Sequence, residues 1–350
     1  VIDLFVQNAR VSLVSLSIVS SALTLLILYF LAVKLYGRTH GVMSTLLLLS
    51  SPLYWFNGEM PYTYALEGLL CTIFAATCYD IIMGGKKRLF VSAIVLGLAT
   101  GVRQHIIIML LPLWLYTLSK SSLKESVICL LVFGLTCLTW LLPMIALTGG
   151  VQRYFMVIDA QFKTWVLHPS PFLSQIKMRA KILMTFMTYS LGVGLVPMVY
   201  YIVRIFKIPA ALKDVRLRFL MLWFLPAVLF FIGVNIYNPG HVVLILPPLF
   251  VCLAESIRVL SGDLEAGLKK MIVKNTSSIV RFLRRLFSNR SVLVSSALCI
   301  ALVNIDVFFF QNTPVSYTAI RQGDRHLSEL LKLTRENFSP EKTMILTCRL

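Results

Sequence analysis

An apolar run ends in a carboxylate within the stretch Ser50-Ser51-Pro52-Leu53-Tyr54-Trp55-Phe56-Asn57-Gly58-Glu59-Met60. A second acid, Glu67, follows within the next apolar run. Charged side chains are costly in and near a bilayer, so each acid at such a position is a candidate functional residue. That interpretation requires the flanking apolar runs to be membrane segments.

The composition is that of an integral membrane protein. Apolar residues make up 58% of the 350 residues and charged residues only 14%, whereas soluble domains carry about 25% charged residues. Several apolar runs are long enough to cross roughly 30 Å of hydrocarbon. The sequence therefore predicts an all-α, polytopic transmembrane helical bundle. The expected location is the plasma or inner membrane of a prokaryote, or the endoplasmic reticulum if the source is eukaryotic.

About ten membrane segments are expected. The run 89–118 has Arg103 in its middle and is interpreted as two short helices that meet there. This hairpin leaves the majority of the 33 Lys and Arg residues on the cytoplasmic side, in agreement with the positive-inside rule. Each limb has about 14 residues, or roughly 21 Å of helix, so Arg103 is expected to lie partly sunken on the outer side. The other segments are 11–36, 41–56, 62–83, 127–148, 182–206, 219–235, 242–259 and 292–310.

The connections between these segments account for the net charge of +18. The outer connection 149–181 has aromatic and basic residues at helical spacing and is expected to lie on the outer leaflet. The basic inner connection 260–291 is expected to lie on the cytoplasmic membrane surface. Because the basic residues fall between apolar runs, membrane topology explains them better than nucleic-acid binding. The seven cysteines show no metal-ligand spacing and predict no disulfide framework.

The chain is expected to be an internal fragment of a longer protein, because it starts at Val1 and ends in an extended-looking apolar run. Residues 1–311 are interpreted as the transmembrane domain, with an N-terminal helix and a first outer loop expected before Val1. Residues 312–350 are interpreted as the start of an extracytoplasmic C-terminal part.

Four stretches, in order, resemble a known superfamily. They are Tyr29 to Arg38, Ser51 to Glu67, Gly97 to Leu115, and Asn238 to Leu249. Together they resemble the polyprenyl-phosphate-sugar-dependent glycosyltransferases of the GT-C superfamily, in particular family-39-like members. These members are similar to protein O-mannosyltransferases and to the aminoarabinose transferase of lipid A.

The resemblance implies a GT-C-like fold and a defined reaction. A hexosyl or pentosyl group would pass, with inversion, from a polyprenyl-phosphate carrier to a lipid, glycan or protein acceptor on the extracytoplasmic face. Membrane lipids are further expected partners, and nucleic acid is not. No cofactor is implied, and a divalent metal is left open. In this family a carboxylate of the first outer loop acts as base, and that loop is expected to precede Val1.

Glu59 is the candidate catalytic residue within the chain. It is placed at an outer helix mouth, where a carboxylate can reach a membrane-bound substrate, and burial can tune the pKa of such a base. The competing interpretation is a solvated loop acid, or a charge favoured by a helix N-terminus.

Arg103 is the candidate phosphate ligand, with Gln104 and His105 beside it. A guanidinium binds phosphate through two parallel hydrogen bonds and stays charged when partly buried. The competing interpretation is an arginine that reaches up to the lipid headgroups.

The remaining candidate binding residues are His241, Glu67 and Tyr64. His241 follows a Pro-Gly turn and could meet a phosphate or an acceptor hydroxyl, although an interfacial histidine is the simpler interpretation. Glu67, with Tyr64 three residues earlier, could contact substrate or form a structural pair with a basic residue.

Lys177, Arg179 and Lys181 could attract an anionic carrier, but basic residues at a membrane surface usually bind lipid headgroups.

Two other function classes remain open from the sequence. A transporter or lipid flippase predicts inverted repeats and broken helices near the bilayer midplane, and the sequence shows neither apart from the 89–118 hairpin. A non-catalytic membrane scaffold is the other alternative.

Overall fold

The computed structural model describes residues 9–85, 88–165, 172–208, 213–234, 236, 238–272 and 289–337. Within these residues the chain is helical, and its first four helices are α1 (Ala9–Tyr36), α2 (Arg38–Leu49), α3 (Pro52–Gly58) and α4 (Tyr64–Ile82). The subsequent helices are α5 (Leu89–Val102), α6 (Ile106–Leu118), α7 (Leu123–Thr148), α8 (Val151–Trp165), α9 (Phe172–Leu191), α10 (Leu195–Lys207), α11 (Val215–Gly233), α12 (Leu246–Ile272), α13 (Asn289–Phe309) and α14 (Tyr317–Asn337).

Seven helical stretches in the described part of the chain are long and apolar enough to cross a membrane. This confirms the predicted polytopic helical membrane protein. The predicted count of ten includes three shorter segments: 41–56 and the two limbs α5 and α6. That count stays a prediction. The seven stretches are Arg10–Tyr36, Tyr64–Ile82, Leu123–Thr148, Phe172–Lys207, Val215–Gly233, Pro239–Gly267 and Val292–Phe309.

The segment expected at 41–56 is two helices rather than one. α2 ends at Leu49, and α3 begins at Pro52. Ser51 between them is extended (φ −69°, ψ 122°), because the ring of a following proline disfavours the helical conformation. The break brings α3 to the predicted outer end of the bundle, with Glu59 directly after it.

The 89–118 hairpin is present. α5 ends at Val102, Arg103 is extended (φ −149°, ψ 118°), and α6 starts at Ile106. α5 packs on α7 through Gly97 and Gly101, where an added Cβ would lie 2.7 Å from Thr136 and 2.9 Å from Trp140. Small residues allow such close approach of membrane helices. The hairpin thereby carries Arg103 to one end of the bundle.

The ion pairs agree with the predicted topology, because each joins residues predicted for the same side. At the predicted inner side, α1 pairs with α4, α2 pairs with α12, and α10 pairs with α12. At the predicted outer side, α1 pairs with α14 and α4 pairs with the hairpin tip. The inner pairs include Lys34–Asp80, His40–Glu255 and Arg204–Asp263, and the outer pairs include Arg10–Asp324 and Glu67–Arg103.

We expect cysteines at Gln152 and Ala266 to react on opposite sides of the membrane. Both positions are exposed, Gln152 in the predicted outer connection and Ala266 in the predicted inner one. With the native cysteines replaced, a membrane-impermeant maleimide added to intact cells should label Gln152→Cys and spare Ala266→Cys until the cells are opened. Equal labelling in intact cells would contradict the topology.

The two long connections are partly helical. The outer one contains α8, whose Phe155 and Phe162 are exposed, as expected of an amphipathic segment. In the inner one, α12 runs on to Ile272, and residues 273–288 lie outside the described residues. Of the predicted C-terminal part, α14 is described and residues 338–350 are not.

Candidate functional site

An ion pair at the predicted outer end of the bundle joins a buried carboxylate of α4 to a partly exposed arginine at the hairpin tip. Glu67, in the first turn of α4, is 1% exposed. The Nε atom of Arg103 lies 3.1 Å from one Glu67 carboxylate oxygen, and Nε2 of His105 lies 3.9 Å from the other. Within the described residues neither oxygen has an aligned hydrogen-bond donor. A buried carboxylate satisfied so poorly is costly to the fold, which favours a functional over a purely stabilising role.

Tyr64 and His241 complete this cluster on the side of the 3-10 helix Pro239–Ile245. The Arg103 guanidinium carbon lies 4.2 Å from the centre of the Tyr64 ring, an attractive cation–π arrangement. The ring of His241 meets the Tyr64 ring edge-on at 5.6 Å. His241 Nδ1 is buried and, among the described residues, has no hydrogen-bond partner. The cluster therefore has a polar atom available for a ligand.

Gly240 allows this close packing. Its backbone N–H donates to the Asn238 side-chain oxygen at 2.9 Å, which fixes the turn that opens the 3-10 helix. A Cβ at position 240 would lie 2.1 Å from the Tyr64 ring. The Pro-Gly-His sequence thus has a steric reason, since only glycine leaves room for Tyr64 beneath Arg103.

Gly240→Ala is expected to displace Tyr64 and disorganise the cluster. Overpacking of this kind costs roughly 1–3 kcal/mol, so both the thermal unfolding temperature and the binding of an anionic lipid should fall. The matched control is Gly134→Ala in α7, where an added Cβ meets nothing within 4 Å. Unchanged unfolding and binding in Gly240→Ala would show that Tyr64 moves aside without consequence.

Two phenylalanines at the end of α11 stack on the two histidines of the cluster. Phe230 stacks on His105 with ring centres 5.3 Å apart, and Phe231 stacks on His241 at 5.8 Å. The two neighbouring aromatic rings therefore fix the orientation of imidazoles that come from different parts of the chain.

Arg179 is a buried cation, although the sequence predicts it at the membrane surface together with Lys177 and Lys181. In the structure both lysines are exposed, whereas Arg179 is 1% exposed. Its Nη1 donates to the carbonyl of Gly233 at 2.9 Å, and its Nη2 donates to Gln175 at 2.9 Å. A positive charge is favourable at the C-terminal end of a helix, here α11. Arg179 therefore supports the helix end that carries the two phenylalanines.

Gln104 does not join the cluster. Its amide nitrogen donates to the hydroxyl of Tyr154 in α8 and so ties the hairpin tip to the amphipathic helix. Of the six predicted binding residues, the structure brings together Arg103, His105, His241, Glu67 and Tyr64.

Glu59 lies apart from this cluster, at the C-terminal end of α3. It lines a cavity of about 790 Å³ together with Arg10 and Asp324, and the cavity lining contains no member of the cluster. Burial, with a smaller contribution from the negative charge of Asp324, raises the pKa of the Glu59 carboxyl above its ordinary value. A raised pKa suits a general base or acid near neutral pH.

Within the part of the chain that the structure describes, no group of three or more His, Cys, Asp or Glu side chains is arranged to hold a metal ion. The functional groups of the cluster are one guanidinium, one carboxylate, two imidazoles and one phenol.

Comparison with known proteins agrees with this architecture. Residues 1–147 match the family model described as dolichyl-phosphate-mannose-protein mannosyltransferase. The structure resembles ArnT from Cupriavidus metallidurans bound to undecaprenyl phosphate, with a TM-score of 0.55 and 13% identity over 84% of this chain and 62% of that one. It also resembles apo ArnT from the same organism, with a TM-score of 0.53 and 12% identity over 83% and 60% of the two chains. No curated protein gives a significant sequence match.

The structure is a helical membrane bundle with a GT-C-like fold, as the sequence predicted. Within that type, its first 147 residues resemble the dolichyl-phosphate-mannose-protein mannosyltransferases and its helical bundle resembles ArnT. The chain spans about three fifths of the length of the ArnT chains that it matches.

Proposed function

We propose that the protein is a membrane glycosyltransferase that moves a sugar from a polyprenyl-phosphate carrier to an acceptor on the extracytoplasmic face. The observation that carries this proposal is the pair of Arg103 with buried Glu67 and two imidazoles around it, at the predicted outer end of a GT-C-like bundle. It is supported by the similarity of the bundle to ArnT, which was solved bound to undecaprenyl phosphate.

Arg103 is assigned to the phosphate of the donor. Its Nε edge faces Glu67 and its plane lies over Tyr64, so the orientation of the guanidinium is set before any ligand binds. The Arg103 side chain is 22% exposed, so its two terminal nitrogens are the part of the guanidinium left for a ligand. These nitrogens can therefore bind two phosphate oxygens side by side.

Glu67 is assigned the role of holding Arg103 in place. It leaves the cluster with one positive and one negative formal charge when the histidines are neutral. An arriving phosphate meets the terminal nitrogens of Arg103 while Glu67 keeps the Nε edge, so the two negative groups share one guanidinium. The cost of burying Glu67 is offset by a site arranged in advance for the leaving phosphate.

His241 and His105 are assigned to the rim of the phosphate site. Each imidazole stacks on a phenylalanine of α11, so its ring nitrogens keep fixed positions. The unpartnered Nδ1 of His241 can donate to a phosphate oxygen if the proton resides there.

Glu59 is assigned to the acceptor. In an inverting transfer, the acceptor oxygen forms a bond to the anomeric carbon, and its proton passes to the carboxylate. The bond from that carbon to the phosphate oxygen breaks, and the polyprenyl phosphate leaves from the opposite face. Because Glu59 lines a separate cavity, the acceptor would enter from that cavity while the donor phosphate stays at Arg103.

The proposal is tested by lipid binding and sugar transfer with the full-length protein in vesicles. Undecaprenyl phosphate should bind more tightly than undecaprenol, and the difference should vanish in Arg103→Ala. Undecaprenyl-phosphate-linked aminoarabinose and mannose are the donors to offer, with release of undecaprenyl phosphate as the readout. Equal binding of the phosphate and the alcohol by the unaltered protein would refute the donor assignment.

A further inference from the structure

The cavity beside Glu59 is a long apolar groove on the membrane-facing side of α1. Four side chains at helical spacing form one wall, and Leu49 with Trp55 forms part of the other. The wall runs along α1 from Arg10 to Leu25, which is roughly 22 Å at 1.5 Å per residue. Ile18 is 51% exposed, so the groove is open along its side. The four residues of the α1 wall are Val14, Ile18, Ala22 and Leu25.

The outer end of this groove is polar. Arg10 forms an ion pair with Asp324 of α14 at 2.6 Å, and Glu59 lines the same end. Asp324 also lines a shallow basin of about 470 Å³ on α14. The groove and the basin therefore meet at one residue, and together they join an apolar channel to a polar surface.

The charges around this junction balance. Three arginines, Arg10, Arg321 and Arg325, face three carboxylates, Glu59, Asp324 and Glu329. A surface that carries both signs in equal number offers many hydrogen-bond donors and acceptors without a net field. The groove end itself carries two carboxylates, Glu59 and Asp324, and one arginine, Arg10, that already pairs with Asp324. It therefore favours an uncharged headgroup rich in hydroxyls over a phosphate, which the carboxylates would repel.

We propose that the acceptor is an amphiphile with an uncharged, hydroxylated headgroup, of the glycolipid type, whose aliphatic chain lies in the α1 groove and whose hydroxyl meets Glu59. This inference rests on the proposed function and narrows its acceptor class, since a protein acceptor has no need of an apolar channel within a membrane segment. The cavity volume lies within the roughly 300–1,000 Å³ typical of small-molecule sites.

The test uses an alkyl glucoside that carries a diazirine in its chain and an alkyne tag. Full-length protein in vesicles is irradiated with this probe, and the labelled peptides are identified by mass spectrometry. Label should fall on α1 between Arg10 and Leu25. Ala22→Trp, which fills the groove, should lower that labelling by about tenfold or more, because a clash replaces the contact.

Leu23→Trp is the matched control, because Leu23 is the next residue on α1, is 42% exposed and does not line the groove. It should label like the unaltered protein. Equal labelling of both tryptophan variants, or no label on α1, would overturn the proposal in favour of bulk lipid contact or of cover by another part of the chain.

A second arm separates this inference from the proposed function. An alkyl phosphate of the same chain length and the same diazirine position should label residues near the hairpin tip, be lost in Arg103→Ala and be unaffected by Ala22→Trp. If the alkyl phosphate labels the hairpin tip as expected and the glucoside does not label the groove as expected, only the acceptor inference fails. If the phosphate arm fails while the groove labels as expected, the donor assignment fails instead. Competition for groove labelling by the alkyl phosphate, as strong as by unlabelled glucoside, would overturn the uncharged headgroup.

Discussion

Arg103→Ala is expected to lower donor-dependent turnover by about 10²–10³-fold, the usual loss when one preorganised donor to a developing negative charge is removed. Arg103→Lys should fall between the alanine variant and the unaltered protein, because lysine keeps the charge and loses the two parallel hydrogen bonds. The measurement is the release of undecaprenyl phosphate by the full-length protein in vesicles, with thermal unfolding recorded for each variant.

Stability and chemistry must be separated in this experiment, because Arg103 is the ion-pair partner of buried Glu67. Removing one partner of a buried pair leaves an uncompensated charge. Adding Glu67→Gln to Arg103→Ala removes that charge and should restore the unfolding temperature without restoring turnover. Arg88→Ala, at a half-exposed arginine that pairs with Asp80 on the predicted inner side, should leave both unchanged. Unaltered kinetics in Arg103→Ala would reduce Arg103 to an anchor for lipid headgroups.

Glu59→Gln should retain the fold and lose turnover by roughly 10²–10⁴-fold, the range for removal of a general base. The amide is nearly isosteric and still forms hydrogen bonds, so the end of α3 should be preserved. Glu336→Gln on the exposed face of α14 is a control of the same chemical change. A loss much smaller than this range, with the donor still bound, would assign the base to another carboxylate. Loss of folded protein would make Glu59 a structural residue.

The pH dependence of turnover provides an independent check on Glu59. A general base works in its deprotonated form, so activity falls as the pH drops through its pKa. Burial beside Asp324 raises the pKa of Glu59, so the acidic decline should begin at a higher pH than an ordinary glutamate pKa of about 4.3 would give. The decline should be missing in Glu59→Gln. A decline that persists unchanged in this variant would belong to a different group.

The sequence could predict the residues that are unusual for their surroundings. Arg103 interrupts an apolar run, and the structure shows the helix break there. Glu67 is a scarce charge in a membrane segment, which required a basic partner, and Arg103 is that partner. An isolated charged residue in a membrane segment is energetically costly, so such residues stand out in the sequence. Most residues of the cluster could therefore be predicted before any contact was known.

The burial of Arg179 is not among the predictions from the sequence. In sequence Arg179 stands between Lys177 and Lys181, and all three are interpreted as surface cations. However, a separation of two residues places Arg179 on the helix face opposite to the two lysines. The buried guanidinium of Arg179 donates a hydrogen bond to the carbonyl of Gly233, which is 54 residues away in the chain. The division of 41–56 was missed for another reason: the length and apolarity of the run outweighed the local effect of Pro52 on Ser51. The separation of Glu59 from Arg103 likewise depends on how α1, α3 and α14 pack, and not on their order.

The hairpin has a consequence for the surrounding lipid. Its two helices contain 14 and 13 residues, or roughly 20 Å each, whereas the hydrocarbon of a typical bilayer is about 30 Å thick. Membranes adapt to short hydrophobic segments by local thinning, at a modest energetic cost that rises with the mismatch. Acyl-chain length is therefore a working variable for this protein. Short-chain lipids are expected to bring the headgroup plane, and any phosphate in it, closer to Arg103 than long-chain lipids do.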